Sequence, residues 1–295
     1  MYYFLGMLIL RTVSKLTRLK FGLQKKCWQG KGFNITYLQS IPKSGQQTVI
    51  LLHGLASSKD QWGPYIYELT KYHNCLFLDM PGEGESSFDN GYNYAPKYQV
   101  ERLREFIASN NLEKVVLVGS SIGGCVAAMY ADRYPDNVTK LIAIAPAGIK
   151  SPSHSKMLTN FIETKEHPFA YKNVDEMMKF WDVVFYKTPK VSNFLKTTLA
   201  KRGEMRHKKI NKIVDDFYQD GIFQLHDKIG NIKTDTMIMW GKNDNIFDVS
   251  SVSEIQNIRP QSLVKIIDES GHVPYLEKGH QVSNEIDNFI ENKIQ

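Results

Sequence analysis

The sequence predicts an α/β protein, in which a mostly parallel sheet carries helices on both faces and a helical cap is inserted after the sixth core strand. Short apolar runs recur along the 295 residues, separated by segments of helical length. Buried strands that alternate with amphipathic helices are typical of a parallel sheet with both faces covered. The alternation stops between residues 149 and 229, where the chain becomes helical and rich in Met and aromatic residues. This interruption predicts the cap.

The elements follow from apolar periodicity and from the Gly, Pro and polar residues that bound each run. The predicted core strands are 35–39, 47–52, 75–79, 115–119, 141–145, 236–240 and 263–267, and the cap follows 141–145. The predicted helices lie near 61–71, 96–109, 123–134 and 279–292. Ligands of such sheets bind at the carboxyl ends of the strands, so we expect functional residues in the loops that follow them.

Length and composition agree with one large α/β domain that carries an insertion. The chain is 42% hydrophobic and 23% charged, which is an ordinary composition for a globular protein. Its three cysteines, Cys27, Cys75 and Cys125, form an odd set without short spacings. We therefore expect no disulfide framework and no zinc site, and a reducing compartment is favoured.

The segment Gly119–Gly123 follows the strand at 115–119 and precedes a helix that begins with small residues. A G-x-S-x-G pattern between strand and helix is that of a nucleophile elbow, a strained turn that exposes the hydroxyl of its serine. The two glycines let strand and helix approach closely. We expect Ser121 to be the nucleophile and the N–H of Ile122 to be an oxyanion donor.

A serine nucleophile needs a base downstream, because the elbow enzymes keep the chain order Ser, Asp or Glu, His. His272 follows the strand at 263–267, in a loop bounded by Gly271 and Pro274. A histidine at such a strand end can reach over the edge of the sheet. His272 is the predicted catalytic base.

The base in turn needs an acid that holds its tautomer. Asp244 lies three residues beyond Gly241, at the end of the strand at 236–240, and is the predicted acid. Asp248 is the alternative acid. Otherwise we expect Asp248 to cap a helix that begins near Val249.

Two glycine turns precede the elbow. The strand at 47–52 ends in His53–Gly54, and we expect the N–H of Leu55 to be the second oxyanion donor. His53 precedes the nucleophile in the chain and is expected to shape this loop. The segment Asp79–Ser86 is rich in glycine but lacks the spacing and the lysine of a P-loop, so we interpret it as a structural crossover.

These motifs resemble the α/β-hydrolase superfamily, whose order they keep from about residue 28 to the end of the chain. Three short strings, Lys59–Trp62, Ala145–Gly148 and Asp248–Ser250, resemble a narrower branch, the membrane-anchored monoacylglycerol lipases and their bacterial lipase relatives. The resemblance implies an α/β-hydrolase fold and a triad of Ser121, Asp244 and His272. It implies no cofactor and no metal.

The chain is interpreted as a basic apolar leader (1–27), a hydrolase core in two parts (28–148 and 230–295) and the helical cap (149–229). We expect most Met and aromatic side chains of the cap to hold the cap together. The same side chains would also offer an apolar chamber of acyl size above Ser121.

The leader combines an apolar run with basic residues. Residues 1–59 contain nine Lys and Arg and no Asp or Glu, whereas the rest of the chain contains 28 bases and 31 acids. The apolar run Tyr2–Leu10 is nine residues long, whereas a membrane span needs about 20. A helix here would place Ile9, Leu10, Val13 and Leu16 opposite the bases. This pattern indicates an anchor at an anionic membrane surface, with the catalytic domain on the cytoplasmic side. The alternatives are a short helix packed on the core and a cytoplasmic protein.

Site and resemblance together predict a serine hydrolase that cleaves carboxylic esters of lipid-like substrates through an acyl-enzyme on Ser121, most naturally monoacylglycerols. The same fold also serves C–C bond hydrolases, cofactor-free peroxidases, aminopeptidases and non-catalytic ligand receptors, and fold alone does not separate these. The expected partners are a small lipid ester and an anionic membrane surface. No nucleic-acid motif accompanies the basic leader, so nucleic acid is not expected. The sequence leaves the oligomeric state open.

Overall fold

Eight strands form a single sheet in the computed structural model, which describes residues 2–293. The strands are β1 (Gln24–Gln29), β2 (Asn34–Gln39), β3 (Thr48–Leu52), β4 (Asn74–Leu78), β5 (Val115–Ser120), β6 (Val138–Ile144), β7 (Asp235–Gly241) and β8 (Leu263–Ile267). Their order across the sheet is β1-β2-β4-β3-β5-β6-β7-β8. β2 pairs antiparallel with β1 and β4, and the other five pairings are parallel. The predicted fold class is confirmed.

Helices cover both faces of this sheet. Within residues 2–293 they are α1 (Tyr2–Lys20), α2 (Gly63–Tyr67), α3 (Pro96–Ser109), α4 (Ile122–Arg133), α5 (Lys156–Thr164), α6 (Val174–Val184), α7 (Asn193–Tyr218), α8 (Ser251–Ile258), α9 (Pro274–Glu277) and α10 (Gly279–Ile290). Short 3₁₀ turns at Lys59–Trp62 and Glu68–Lys71 flank α2. The predicted helices near 96–109, 123–134 and 279–292 correspond to α3, α4 and α10.

The central strands form the core because their side chains are apolar on both faces. Every residue of β5 is buried, and β3 and β7 are buried except for their first residues. This double burial is expected for parallel strands that have helices on both sides. The buried sheet holds the carboxyl ends of β3, β5, β7 and β8 in place. The predicted site residues lie directly after these strand ends.

The sequence analysis missed strand β1. The strand predicted at 141–145, fifth among the predicted strands, is therefore β6, the sixth strand along the chain. The β1 residues are polar and exposed apart from the half-buried Trp28, because this strand lies at the edge of the sheet. The pattern of a buried strand is therefore absent there. The boundary proposed between residues 27 and 28 falls inside β1, and the helical part of the leader ends at Lys20.

The insertion between β6 and β7 contains α5, α6 and α7. Its two ends meet, because the carbonyl of Gly148 accepts hydrogen bonds from the N–H groups of Leu225 (3.1 Å) and His226 (2.9 Å). Helix α7 is 26 residues long and contacts both the core and α1. Phe217 near its end belongs to the main core, whereas its first half contacts α1.

Helix α1 packs on α7 through Gly6, where a Cβ atom would overlap the side chain of Thr198. Arg18 fixes the other end of α1 through a forked ion pair with Asp60 at 2.7 Å. The opposite face leaves these apolar side chains exposed: Tyr2, Leu5, Leu8, Ile9, Val13, Leu16 and Leu19. Leu10, which was expected among them, instead lines a cavity between α1 and α7. Across residues 2–293, no helix combines the length and apolarity that a membrane crossing requires.

Candidate active site

Ser121 lies in the turn between β5 and α4, and its backbone has φ +56° and ψ −120°. L-residues rarely adopt this conformation, which costs about 1–3 kcal/mol and must be held by its surroundings. A Cβ atom at Gly119 would overlap the carbonyl of Gly123, so glycine is needed where strand and helix cross. The N–H of Ser121 donates to the carbonyl of Ile144 at 2.9 Å, and this bond joins the turn to β6. The sequence motif thus has the geometry of an elbow.

The structure brings Asp244 and His272 together. His272 Nδ1 lies 2.8 Å from Asp244 Oδ2, and both side chains are buried. A carboxylate only accepts hydrogen bonds, so Nδ1 carries the proton and Nε2 is left free to accept one. The other oxygen, Asp244 Oδ1, accepts the N–H groups of Ile246 (2.8 Å) and Phe247 (3.1 Å). These bonds hold the carboxylate in one orientation towards His272.

The acid loop is shaped by Trp240 and Gly241 at the end of β7. The indole N–H of Trp240 donates to the carbonyl of Phe247 at 3.0 Å and closes the loop. A Cβ atom at Gly241 would overlap the carbonyl of Gly271, so the acid loop and the His272 loop can approach only with glycine there. The ring of Phe247 also packs edge-on against His272, with centroids 5.4 Å apart.

Asp248 does not bond His272. Its carboxylate accepts the N–H of Ser250 at 2.9 Å, and its carbonyl accepts the N–H of Ser251 at 3.0 Å, where α8 begins. Asp248 therefore orders the turn before α8, and that helix starts two residues later than the sequence suggested.

The His272 loop is tied to the cap by contacts that the sequence did not reveal. The N–H of His272 donates to the carbonyl of Val184 at 2.8 Å, at the end of α6. Glu277 accepts the N–H of Gly271 (2.7 Å) and the N–H of Tyr186 (2.9 Å). One carboxylate thus bridges the His272 loop and the cap. No spacing motif marks Glu277, because both partners are backbone N–H groups and that of Tyr186 is distant in sequence.

Ser121 and His272 come from neighbouring loops. The hydroxyl of Ser120 donates to that of Tyr275 at 3.4 Å, which joins the elbow to the helix after His272. Among the described residues the Ser121 hydroxyl has no hydrogen-bond partner, so its bond to His272 stays a prediction. Such bonds are often long until substrate is bound. Burial raises the pKa of Tyr275, so this phenol is neutral.

The turn after β3 packs directly on the elbow. A Cβ atom on Gly54 would lie 3.3 Å from Cβ of Ser121, and a Cβ atom on Gly123 would overlap the carbonyl of Leu52. Leu55 follows Gly54, and Ile122 is the first residue of α4. The structure therefore places both predicted donor residues next to Ser121. Their role as oxyanion donors stays a prediction.

His53 is fully buried beneath this turn. Its Nε2 accepts the N–H of Met80 at 3.0 Å, and its Nδ1 lies 2.7 Å from the carbonyl of Gly54. Both ring nitrogens are occupied by backbone groups, which fits the loop-shaping role expected for His53.

The residue after Leu55 is held by a buried carboxylate. Ala56 has φ +58°, and its N–H donates to Glu83 Oε1 at 2.7 Å. Glu83 is 1% exposed, and its second oxygen bonds Arg206 of α7 at 3.0 Å. A core carboxylate and a cap guanidinium thus fix the chain beside Leu55. The sequence analysis missed this pair because only the fold brings residues 83 and 206 together.

The Asp79–Ser86 segment is a crossover held by its own polar groups, as expected. The hydroxyl of Ser86 donates to the carbonyl of Asp79 at 2.7 Å. The Asp79 carboxylate accepts the buried Nζ of Lys59 at 2.7 Å and the N–H of Glu85 at 2.8 Å. Burial alone would raise the pKa of Glu85, but hydrogen bonds from Lys59 and Lys25 lower it to about 2.

Apolar side chains of the cap pack against the turn after β3. Phe161, Ile210 and Val214 form a buried cluster in the cap, and Leu55 packs against it. An acyl chain bound at Ser121 would therefore meet apolar cap residues. Among the residues that the structure describes, no group of three His, Cys, Asp or Glu side chains could hold a metal ion.

Comparison with known proteins agrees with this geometry. The family model for the alpha/beta hydrolase fold matches residues 47–279. Lipase 1 of Psychrobacter immobilis is 29% identical over 248 residues, covering 83% of this chain and 77% of that protein. Monoacylglycerol lipase ABHD6 of Bos taurus is 25% identical over 285 residues, covering 92% and 84%. The crystal structure of a membrane phospholipase A superposes with a TM-score of 0.92 at 29% identity, covering 98% of this chain and 93% of that one. This chain belongs to the α/β-hydrolase fold family.

Proposed function

We propose that this protein is a serine hydrolase that cleaves carboxylic esters of lipids, with monoacylglycerols as its substrate class. The observation that carries the proposal is the bond between Asp244 and His272 beside the strained Ser121 elbow. A buried carboxylate, an oriented imidazole and a strained serine turn are the three parts that acyl transfer requires.

The reaction proceeds in two halves. Ser121 Oγ attacks the ester carbonyl while His272 Nε2 takes the hydroxyl proton, and the N–H groups of Leu55 and Ile122 stabilise the oxyanion. His272 then donates that proton to the leaving glycerol oxygen, which breaks the ester bond and leaves the acyl group on Ser121. A water molecule, deprotonated by His272, attacks the acyl-enzyme. His272 returns this proton to Ser121 Oγ as the acyl bond breaks, which releases the fatty acid and restores the serine hydroxyl. Asp244 holds the His272 tautomer throughout.

Two observations support a lipid ester as the substrate, and the name of one relative supports monoacylglycerols. The cap cluster of Phe161, Ile210 and Val214 packs on Leu55, so the acyl side of the site is apolar. The similar proteins are named as lipases, a monoacylglycerol lipase and a phospholipase A.

A panel of glycerol esters tests the proposal. Mono-, di- and triacylglycerols with short and long chains are compared with a lysophospholipid and a diacyl phospholipid, using wild type and Ser121→Ala. We expect Ser121-dependent hydrolysis of monoacylglycerols at the highest kcat/KM. Preference for a phospholipid would contradict the substrate class. Hydrolysis of no ester above the Ser121→Ala background would contradict the ester hydrolase itself.

We also propose that α1 attaches the enzyme to an anionic membrane surface, with the catalytic domain on the cytoplasmic side. The exposed apolar face of α1, which Arg11 and Lys15 border, supports attachment. The free thiols of Cys27, Cys75 and Cys125 support the cytoplasmic side. Cys27 is exposed, so a membrane-impermeant maleimide should label it only after cells are opened. Labelling of intact cells would contradict this orientation.

A further inference from the structure

A cavity of about 1100 Å³ separates α1 from the hydrolase core and from α7. Its walls are the inner face of α1, the turn at Lys59–Trp62 and the first half of α7. Apolar side chains from both helices line part of it, including Met7, Leu10 and Leu199. The triad residues do not line this cavity, so it is separate from the ester site.

The polar part of the cavity wall carries an excess of positive charge. Two carboxylates line it, Asp60 and Glu85, and both are already bound by cations. Asp60 takes the forked bond from Arg18, and Glu85 accepts Lys59 at 2.6 Å. The cations in the wall are Arg11, Lys15, Arg18, Lys25, Lys59, Arg202 and Arg206.

Three of these cations form no ion pair with any residue that the structure describes. Arg206 is paired with Glu83, and Lys25 with Glu85. Within residues 2–293, no ion pair or side-chain hydrogen bond engages Arg11, Lys15 or Arg202. Burial, and then the charge of Arg206, lower the pKa of the half-buried Arg202, and the nearby charges of Tyr171 and Asp60 oppose this shift only in part.

We propose that this cavity binds a single-chain anionic amphiphile, with its acidic head group at Arg202 and its alkyl chain along the apolar wall. A guanidinium can hold a carboxylate or a phosphate through two parallel hydrogen bonds. Arg11 and Lys15 add charge from the opposite wall, and Met7, Leu10 and Leu199 offer the apolar surface. This ligand is distinct from the ester substrate, and its binding does not depend on turnover.

The location of the cavity suits such a ligand. It adjoins the exposed apolar face of α1, whose Val13 and Leu19 also line it, so an amphiphile that leaves a membrane beside α1 meets the cavity first. Filling it would neutralise the half-buried Arg202, add a counter-charge beside the exposed Arg11 and Lys15, and join α1 to α7 through a shared ligand.

Calorimetric titration of the full chain carrying Ser121→Ala tests the proposal without turnover. The probes are dodecanoate, dodecyl phosphate, the uncharged glycerol ether of dodecanol and inorganic phosphate, each below its micelle concentration. We expect either anionic amphiphile to bind a site that depends on Arg202, in addition to any binding of its alkyl chain at the proposed ester site, which does not depend on Arg202. The loss of a hydrogen bond to a charged group corresponds to about tenfold or more in affinity, so Arg202→Gln should weaken this site by that factor. The carboxylate and phosphate probes then rank the two head groups.

The matched control is Lys201→Gln, which removes one charge from the same helix at a side chain that pairs with Glu204. It should bind like the parent chain. Arg11→Gln, at an exposed position, serves as a second variant and should weaken binding less than Arg202→Gln. Unchanged affinity in both arginine variants would overturn the proposal. Binding of the uncharged ether that Arg202→Gln weakens as much as it weakens binding of the anions, or an affinity for inorganic phosphate equal to that for dodecyl phosphate, would overturn the amphiphile as ligand.

Discussion

Ser121 shows how single residues prepare this site. Its positive φ is held by main-chain bonds on both sides, because its carbonyl accepts the N–H groups of Cys125 and Ala147, each at 3.0 Å. The conformational strain is therefore compensated by β6 and α4 before any substrate binds. Burial raises the pKa of Cys125, so the thiol beneath the elbow remains protonated and does not compete as a nucleophile.

Variants of Asp244 and Asp248 test which of the two aspartates after β7 is the catalytic acid. Asp244→Asn should lower kcat by about 10⁴-fold, because an amide favours the wrong tautomer of His272. Asp248→Asn is the matched control and should leave kcat nearly unchanged, because an amide oxygen can still accept the N–H of Ser250. Steady-state kinetics on a soluble short-chain ester measure both. A larger loss in the Asp248 variant would reverse the assignment.

The elements position the site through contacts between cap and core. Arg206 of α7 reaches Glu83, and the end of α6 holds the backbone of His272 through Val184. Catalytic geometry therefore depends on how the cap sits on the core. The Arg206–Glu83 contact and the Val184–His272 contact both lie outside β5 and β7, the strands that precede Ser121 and Asp244.

Variants of Glu83 test whether catalysis depends on the contact between cap and core. Glu83→Ala should remove the acceptor for Ala56 and release the chain beside Leu55, lowering kcat by about 10- to 100-fold with little change in KM. Glu83→Gln should retain part of the activity, because its amide oxygen can still accept the Ala56 N–H. Glu101→Gln, at an exposed pair with Arg133, is the control. Equal effects on kcat and KM, or no rescue by glutamine, would assign Glu83 a purely structural role.

Elements with strong apolar runs were predictable, and those made by tertiary contacts were not. The runs at 47–52 and 115–119 match β3 and β5 within one residue, because buried parallel strands are apolar throughout. Strand β1 is exposed and polar and left no such pattern. In the site, Asp244 and His272 were found from strand ends and chain order. Glu83 and Glu277 were not, because their partners are backbone groups and a cap residue.

At the scale of the whole molecule, α1 presents two chemically different faces. Its inner face packs on Thr198 and binds Asp60, and its outer face is apolar and exposed. An exposed apolar face bordered by bases is typical of helices that lie in a membrane interface. Removing residues 1–26 would also remove part of β1, so point variants of α1 test attachment more cleanly than truncation.

The double variant Leu8→Gln, Leu16→Gln changes only this outer face, where the side chains are 61% and 60% exposed. Burying each apolar side chain contributes about 1.5–3 kcal/mol, so binding to anionic liposomes should fall by about 100-fold or more. Hydrolysis of a soluble ester should be unaffected. Ile41→Gln, at an exposed apolar residue elsewhere, is the control. Liposome flotation that is equal for all three proteins would contradict membrane attachment through α1.

We propose above all that this fold presents Ser121 as the nucleophile of an ester hydrolase. The most direct test of this proposal is labelling with a fluorophosphonate, followed by mass spectrometry of the peptide that carries the adduct. We expect one adduct per chain on Ser121, with labelling lost in Ser121→Ala and kcat lowered by up to about 10⁶-fold. An adduct on another residue, or labelling and hydrolysis that persist in a folded Ser121→Ala protein, would contradict it.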